Sequence, residues 1–426
     1  MHSEAARLGR ASARQADAGI VKKSSGSQEP LWTKDFFSIA IINLFVLSGG
    51  NMLIPTFPFY LKSLGGSELT VGVAAALYSI SSLIMRPIAG WILDHKGRKG
   101  IFYVGVIGII LVSFSYNFMA TIPALIVLRT MHGLMTSTAN TSCSTNACDI
   151  VPQTRFAEGI GMFGLTNSMA MAIGPALGQA VMEKHGFGPM FYCCVAFGVI
   201  SLICLSRMVI KEVPHPVQRS SGSIPLKERI ATIFHKDALP ASLVLLLAMI
   251  PGGAISSFIA LFAAEESMGV GATYFLVQAM GTGSARLFSG RWADRKGEGP
   301  MVYVSSALYI VGLGLIIFGH HASFLYISGL LYGWGYGLSI PALQTMAVRI
   351  APREQRGAAS STYLCSYDVG WALGGLLGGV LVTAFGYRKM FALMSVWVFA
   401  SVALYVLWSR NSRSAFRNLP KLEAAN

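Results

Sequence analysis

Apolar stretches of about twenty residues alternate with short polar breaks from residue 36 to residue 408. A helix needs ~20 residues to cross a hydrocarbon core about 30 Å thick, so each stretch predicts one membrane-spanning helix. The stretches fall at 36–60, 71–93, 101–119, 122–146, 156–182, 190–208, 238–264, 272–293, 301–318, 323–348, 357–383 and 390–408. Little chain is left outside the bilayer: a tail over 1–35, a polar connection over 211–237 and a second tail over 409–426. The connection carries an amphipathic patch from Ile224 to Phe234, which predicts a short interfacial helix. The first tail lacks the apolar core of a signal peptide and is expected to be disordered.

The pattern also repeats. "RPIAGWILDHKGRKG" from Arg86 and "RLFSGRWADRKGEGP" from Arg286 coincide at Arg86/Arg286, Gly90/Gly290, Asp94/Asp294 and Gly97/Gly297, an offset of 200 residues. The same offset holds at Pro152/Pro352, Gly174/Gly374, Gly178/Gly378 and Gly186/Gly386. Self-similarity at a fixed spacing marks a duplicated unit. The expected fold is an all-α membrane protein whose twelve helices form two pseudo-symmetric six-helix bundles, over 36–210 and 238–408.

Composition excludes a soluble class: 53% of residues are hydrophobic and 12% charged, against about 25% charged in ordinary soluble domains. The net charge of +14 is compatible with nucleic acid or with membrane orientation, and the positions of the 33 Lys and Arg decide between them. Most lie in the two tails and in the loops on the same side. That asymmetry puts both termini in the cytoplasm and removes the need for a nucleic-acid partner. A multi-pass monomer in the plasma membrane, specifically a bacterial inner membrane, is expected. The six cysteines fall in or at the ends of spans, so no disulfide framework is indicated. No phosphate loop, metal-ligand cluster or nucleophile triad is visible, which argues against an ATP-driven pump, an enzyme or a bound cofactor.

Of the 19 acidic residues, Asp368 is the one placed near the middle of a span. A charge there costs roughly 2.5–3.5 kcal/mol on insertion scales and generally marks a pathway. At 100° per residue Leu364, Asp368, Trp371 and Gly375 share one face, while Gly370, Gly374 and Gly378 form a packing ridge on a roughly opposite one. Asp368 and Trp371 are thereby directed at the space between the halves. Asp368 is expected to exchange protons with alternating sides, to hold a substrate charge, or both; an Asp locked against a neighbour is the competing reading. In the fourth span Arg129, His132, Thr136, Asn140 and Cys143 step by three or four and form one polar stripe. Arg129 and His132 then serve coupling or substrate binding, or else anchor helices. Tyr332, Tyr336, Gln344, Tyr363, Tyr367 and Trp371, with Asn140 and Asn167 opposite, compose a cavity wall suited to a lipophilic cation.

The segment "GWILDHKGRK" resembles the loop pattern G-x-x-x-D-R-x-G-R-[KR] of the major facilitator superfamily, and the likeness extends over 36–408. Gly90, Asp94, Gly97, Arg98 and Lys99 match, with His95 where Arg is usual. The second copy keeps Gly290, Asp294, Arg295 and Gly297 but has Glu298 at the place of Arg98. This resemblance implies a gate in which Asp94 meets the start of span 11 near Arg356, and Asp149 is a plausible partner for Arg98. "LRTMHG" is similar to the R-x-x-x-G pattern of proton-coupled drug antiporters through Arg129 and Gly133, with His132 replacing the usual Gln. "GMFGLTNSMAMAIGPALGQ" resembles the antiporter signature G-x8-G-x3-G-P-x2-G-G through Gly161, Gly174, Pro175 and Gly178, with Ala170 and Gln179 in place of glycines. Small residues at spacing four permit close helix approach and a proline bends the helix, so this span suits a pivot. Together these imply a secondary transporter that rocks two bundles and exports a small molecule against protons, the coupling ion. A symporter importing a polar metabolite and a non-transporting receptor or scaffold are the rival readings.

Overall fold

The computed structural model describes residues 30–152, 155–210, 235–351 and 356–411. The tails, the interfacial-helix patch Ile224 to Phe234, and Pro352 lie outside the described residues. The twelve long helices among them are α1 (Lys34–Ser63), α2 (Glu68–Lys96), α3 (Arg98–Ser115), α4 (Ile122–Ile150), α5 (Phe156–His185), α6 (Phe187–Arg207), α7 (Leu239–Glu265), α8 (Gly271–Lys296), α9 (Gly299–Phe318), α10 (Ala322–Arg349), α11 (Arg356–Phe385) and α12 (Tyr387–Asn411). A 3-10 turn, Lys236–Ala238, leads into α7.

Most helices extend past the apolar stretch that predicts them, because hydropathy senses the hydrocarbon while capping sets the end. Thr33 Oγ1 accepts from the Phe36 amide and Ser67 Oγ from the Thr70 amide, each at 3.2 Å, which starts α1 and α2 ahead of their apolar runs. Gly97 (φ 93°) and Gly297 (φ 76°) turn α2 into α3 and α8 into α9 through the left-handed region, where a Cβ would be strained. Eight of the helices are long and apolar enough to cross a membrane by composition alone. The other four, α4, α5, α8 and α10, carry Arg129, Asn167, Arg286 and Gln344 within their length.

Packing follows the repeat. In the N-terminal bundle α1 lies on α5 and α6, and α4 on α2 and α3; in the C-terminal bundle α7 lies on α11 and α12, and α10 on α8 and α9. Lipid tails supply no hydrophobic drive between helices, so close backbone approach carries much of the association. The ridge on α11 faces α7: a methyl added at Gly370 would stand 2.5 Å from Leu246 O, and one at Gly378 2.9 Å from the Phe258 ring. Gly174 and Gly178 face α1 of their own bundle, where an added methyl would stand 2.7 Å from Ser48 O and 2.7 Å from Met52 O.

The bundles meet chiefly through α2 with α11, α5 with α8 and α1 with α7, and more lightly through α2 with α7. The first two are exchanged by the 200-residue repeat. A methyl at Gly72, in the half of α2 away from the termini, would stand 2.5 Å from Gly375 O and 3.1 Å from Gly379 Cα. Gly90 lies about five turns further on the same face of α2 and would meet nothing within 4 Å. The seam is closed around Gly72, at the end away from the termini, and toward the other end no described residue comes within 4 Å of a methyl on Gly90.

Candidate functional site

Asp368 sits in this seam, between Gly375 and the end of α11 nearer the termini. Arg86 of α2 reaches across to it, with Nε 2.8 Å from Oδ2 and Nη2 donating to Oδ1 at 3.2 Å. The paired side chains are 29% and 10% exposed, so the contact is shielded but not dry. One hydrogen bond, from Nη2, and one close charge contact, the Nε–Oδ2 approach that lacks hydrogen-bond geometry, hold the guanidinium against the carboxylate. The bundles are thereby joined by an ion pair at the depth where the sequence placed an isolated acid. The negative charge expected to stand free for a cation is met by Arg86 in this conformation.

The repeat supplies a counterpart with different chemistry. Arg286 of α8 corresponds to Arg86, and Ser168 of α5 corresponds to Asp368. Arg286 Nη1 donates to Ser168 Oγ at 2.8 Å across the second seam. One seam is held by a salt bridge and the other by a neutral acceptor. Neither arginine's partner is visible from local spacing; the signal for both was a basic residue inside an apolar span at equivalent places of the two copies.

The aromatic residues divide. Tyr336 and Tyr367 hydroxyls are 2.7 Å apart, and the Tyr367 ring stacks on Trp371 with centroids 5.4 Å apart, forming one cluster beside Asp368. Tyr332 packs on Tyr309 at 4.6 Å, and the Tyr363 hydroxyl donates to Ile340 O at 2.7 Å; both are enclosed in the C-terminal bundle. They are interior side chains because α10 and α11 each have two buried faces. Asn167 accepts from Asn43 Nδ2 at 2.6 Å and so ties α5 to α1. Asn140 and Gln344 are half-buried.

Arg129 enters from α4 between two rings of its own bundle, with its guanidinium carbon 4.4 Å from the Tyr78 centroid and 4.9 Å from that of Phe57. It is buried and lines a cavity of about 60 Å³ together with Phe57, Tyr78, Ser256, Ser257 and Trp371. Phe57 and Tyr78 were not anticipated, since an aromatic in an apolar span looks like ordinary packing. His132, one turn along, is fully enclosed with Nδ1 3.3 Å from the Tyr116 hydroxyl.

Of the loop residues, Arg98 pairs with Asp149, joining the start of α3 to the end of α4. In the second copy Glu298 accepts from Arg349 at 2.8 Å. Glu298 and Arg349 occupy the places of Arg98 and Asp149, so the ion pair is kept with its charges reversed. The departure at Glu298 is compensated at Arg349. The side chains of Asp94, Gly161, Gly290, Asp294 and Arg356 lie outside the described residues. Pro175 lies inside α5, between Gly174 and Gly178.

Known proteins resemble the chain over most of its length. An uncharacterized MFS-type transporter of Methanocaldococcus jannaschii is 22% identical, with 85% of this chain and 95% of that protein covered. The staphylopine export protein of Staphylococcus aureus is 20% identical, with 89% and 97% covered. The solved structure of a peptide transporter superposes with a TM-score of 0.72 at 13% identity, covering 91% of this chain and 97% of that one. The family model of the Major Facilitator Superfamily matches residues 39–318 and 242–425.

Proposed function

Because the chain belongs to the major facilitator superfamily, and so is a multi-pass membrane transporter and not an enzyme, we propose that it exports a small molecule in exchange for protons. The observation that carries this reading is the Arg86–Asp368 pair, which bridges the two bundles next to the inter-bundle cavity. Arg86 competes with a proton for Asp368: the proton is taken up while the seam is open and the carboxylate unpaired, and it is released on the opposite side as the seam closes and the bridge forms. Protonation and rocking are coupled in this way without any other ion.

Export is supported by the likeness to an exporter over nearly the whole chain and by the antiporter-like segments around Arg129 and Gly174. The surplus of Lys and Arg on the terminus side assigns that side to the cytoplasm. The conformation described is then the one open to the cytoplasm and sealed outside. Asp94 and Arg356 act as a latch on the cytoplasmic side in the opposite state, with Arg98–Asp149 and Glu298–Arg349 bracing the loops that carry it. Gly161, Gly174, Pro175 and Gly178 let α5 flex against α1 as the bundles rock.

The test is transport by purified protein in liposomes under an imposed pH gradient, against a panel of dyes, antibiotics, sugars and metal-chelating metabolites. A substrate is expected to move opposite to the protons, and Asp368→Asn to retain downhill exchange but lose uphill movement. An Asp368→Asn protein that still concentrates substrate when driven by protons would refute the proposal.

A further inference from the structure

The cavity holds a cation that has no acidic partner among the described residues. Arg129 is 5% exposed, and its Nε and Nη1 have no hydrogen-bond partner. The ion pairs among the described residues use other cations, Arg86 with Asp368 being the one at this depth. The Tyr116 hydroxyl, a neutral phenol, interacts with the guanidinium. The faces of Tyr78 and Phe57 offset part of the desolvation through cation–π attraction. An uncompensated buried guanidinium is nonetheless strongly unfavourable, and two of its donors point at no acceptor.

We infer that Arg129 receives a carboxylate of the transported molecule. The inference rests on the reading of the inter-bundle cavity as the transport site. A single guanidinium fork matches one carboxylate in two-point contact, and its charge calls for a monoanion. Trp371, Leu53, Ile54 and Val71 line the rest of the cavity, which suits an apolar body that the about 60 Å³ of this conformation admits only as the bundles part. Ser256 and Ser257 add hydroxyls to the wall contributed by the other bundle. The Arg86–Asp368 pair is already neutral, so the cavity as a whole favours an acid over a base.

The experiment uses the full-length protein in detergent at one pH and with no gradient. Binding of phenylacetate, of its neutral analogue phenylacetamide and of inorganic phosphate is followed by thermal unfolding and calorimetry, in the wild type, Arg129→Lys and Arg129→Met. Phenylacetate is expected to bind and stabilise the wild type, and the other two ligands are not. Affinity should fall roughly ten- to hundredfold in Arg129→Met and by less in Arg129→Lys, as the loss of a charged hydrogen-bonding partner implies. Arg129→Met removes an unpaired buried charge, so the free protein should be at least as stable as wild type, which excludes misfolding as the cause. Failure of phenylacetate to bind, equal binding of the amide or of phosphate, or unchanged affinity in Arg129→Met would overturn the inference. These readouts need no transport and no coupling. Failure here leaves the proton test on Asp368 standing, and failure there leaves this one standing.

Discussion

Asp368→Asn is expected to release the α2–α11 seam. The substitution keeps the shape of the side chain and a hydrogen bond to Arg86 while removing the charge. Two unit charges about 4 Å apart attract by about 4 kcal/mol at an effective dielectric of ~20. Arg86 is 29% exposed, so water screens part of that attraction, and the desolvation of both groups offsets more. About 1–3 kcal/mol remains as a contact made only in the closed seam, and its loss multiplies the open population by roughly 5–150-fold. The readout is a single cysteine at Ala75, whose Cβ stands 2.9 Å from the place a Cβ on Gly375 would occupy. It is placed in a background lacking the 6 native cysteines and is labelled with an impermeant maleimide from the side away from the termini. Labelling should accelerate by the same factor in Asp368→Asn and in Arg86→Gln, and the double mutant should go no further than either, because both remove one contact. Unchanged labelling in both single mutants, or additive increases in the double, would show that the pair does not hold the seam.

Three further outcomes are expected. Gly72→Leu should raise labelling at Ala75 even with Asp368 intact, since its Cβ falls 2.5 Å from Gly375 O and a backbone atom cannot step aside; an unaltered rate would mean that the helices meet elsewhere. Glu298→Arg, facing Arg349, should lower thermal stability by about 0.2–1 kcal/mol, and adding Arg349→Asp should restore it by rebuilding the Arg98–Asp149 arrangement; additive losses would refute the pairing. Arg388 donates to both oxygens of Glu266 at 3.0 and 2.9 Å, which holds that carboxyl below its usual range. The pair therefore stabilises the fold fully above the ordinary value near 4.5 and progressively less below it. The unfolding temperatures of wild type and Arg388→Gln should converge as the solution is acidified, and a gap independent of pH would exclude the ion pair as its source.

The helices were legible because a bilayer imposes a length and a polarity on every crossing, and Asp368 was legible because it breaks that polarity. Its partner was not. Arg86 was visible in the repeat, but helical periodicity gives the face of a residue within its own helix and not which distant helix that face will meet. Arg98 and Asp149 were easier, since both lie at the ends of helices that adjoin on the same side. Tyr332 and Tyr363 show the converse difficulty: an inward-facing aromatic belongs to the core of a bundle or to the cavity between bundles, and the two have the same composition. The charge reversal at Glu298 and Arg349 becomes readable only when both copies are compared at two positions together.

The seam between α2 and α11 is made largely of backbone against backbone around Gly72, Gly375 and Gly379, with the small Ala75 methyl seated against Gly375. Such a surface resembles a bearing more than a gear. Few rotamers must be repacked for the helices to slide apart, so the resistance to motion is concentrated at Arg86 and Asp368, while the pair formed by Arg286 and Ser168 supplies no comparable electrostatic friction. On the proposed coupling, the barrier of the cycle would lie largely at this one pair. The frequency of its cycle should then respond steeply to a single proton and only weakly to conservative changes in the bulk of the surrounding side chains.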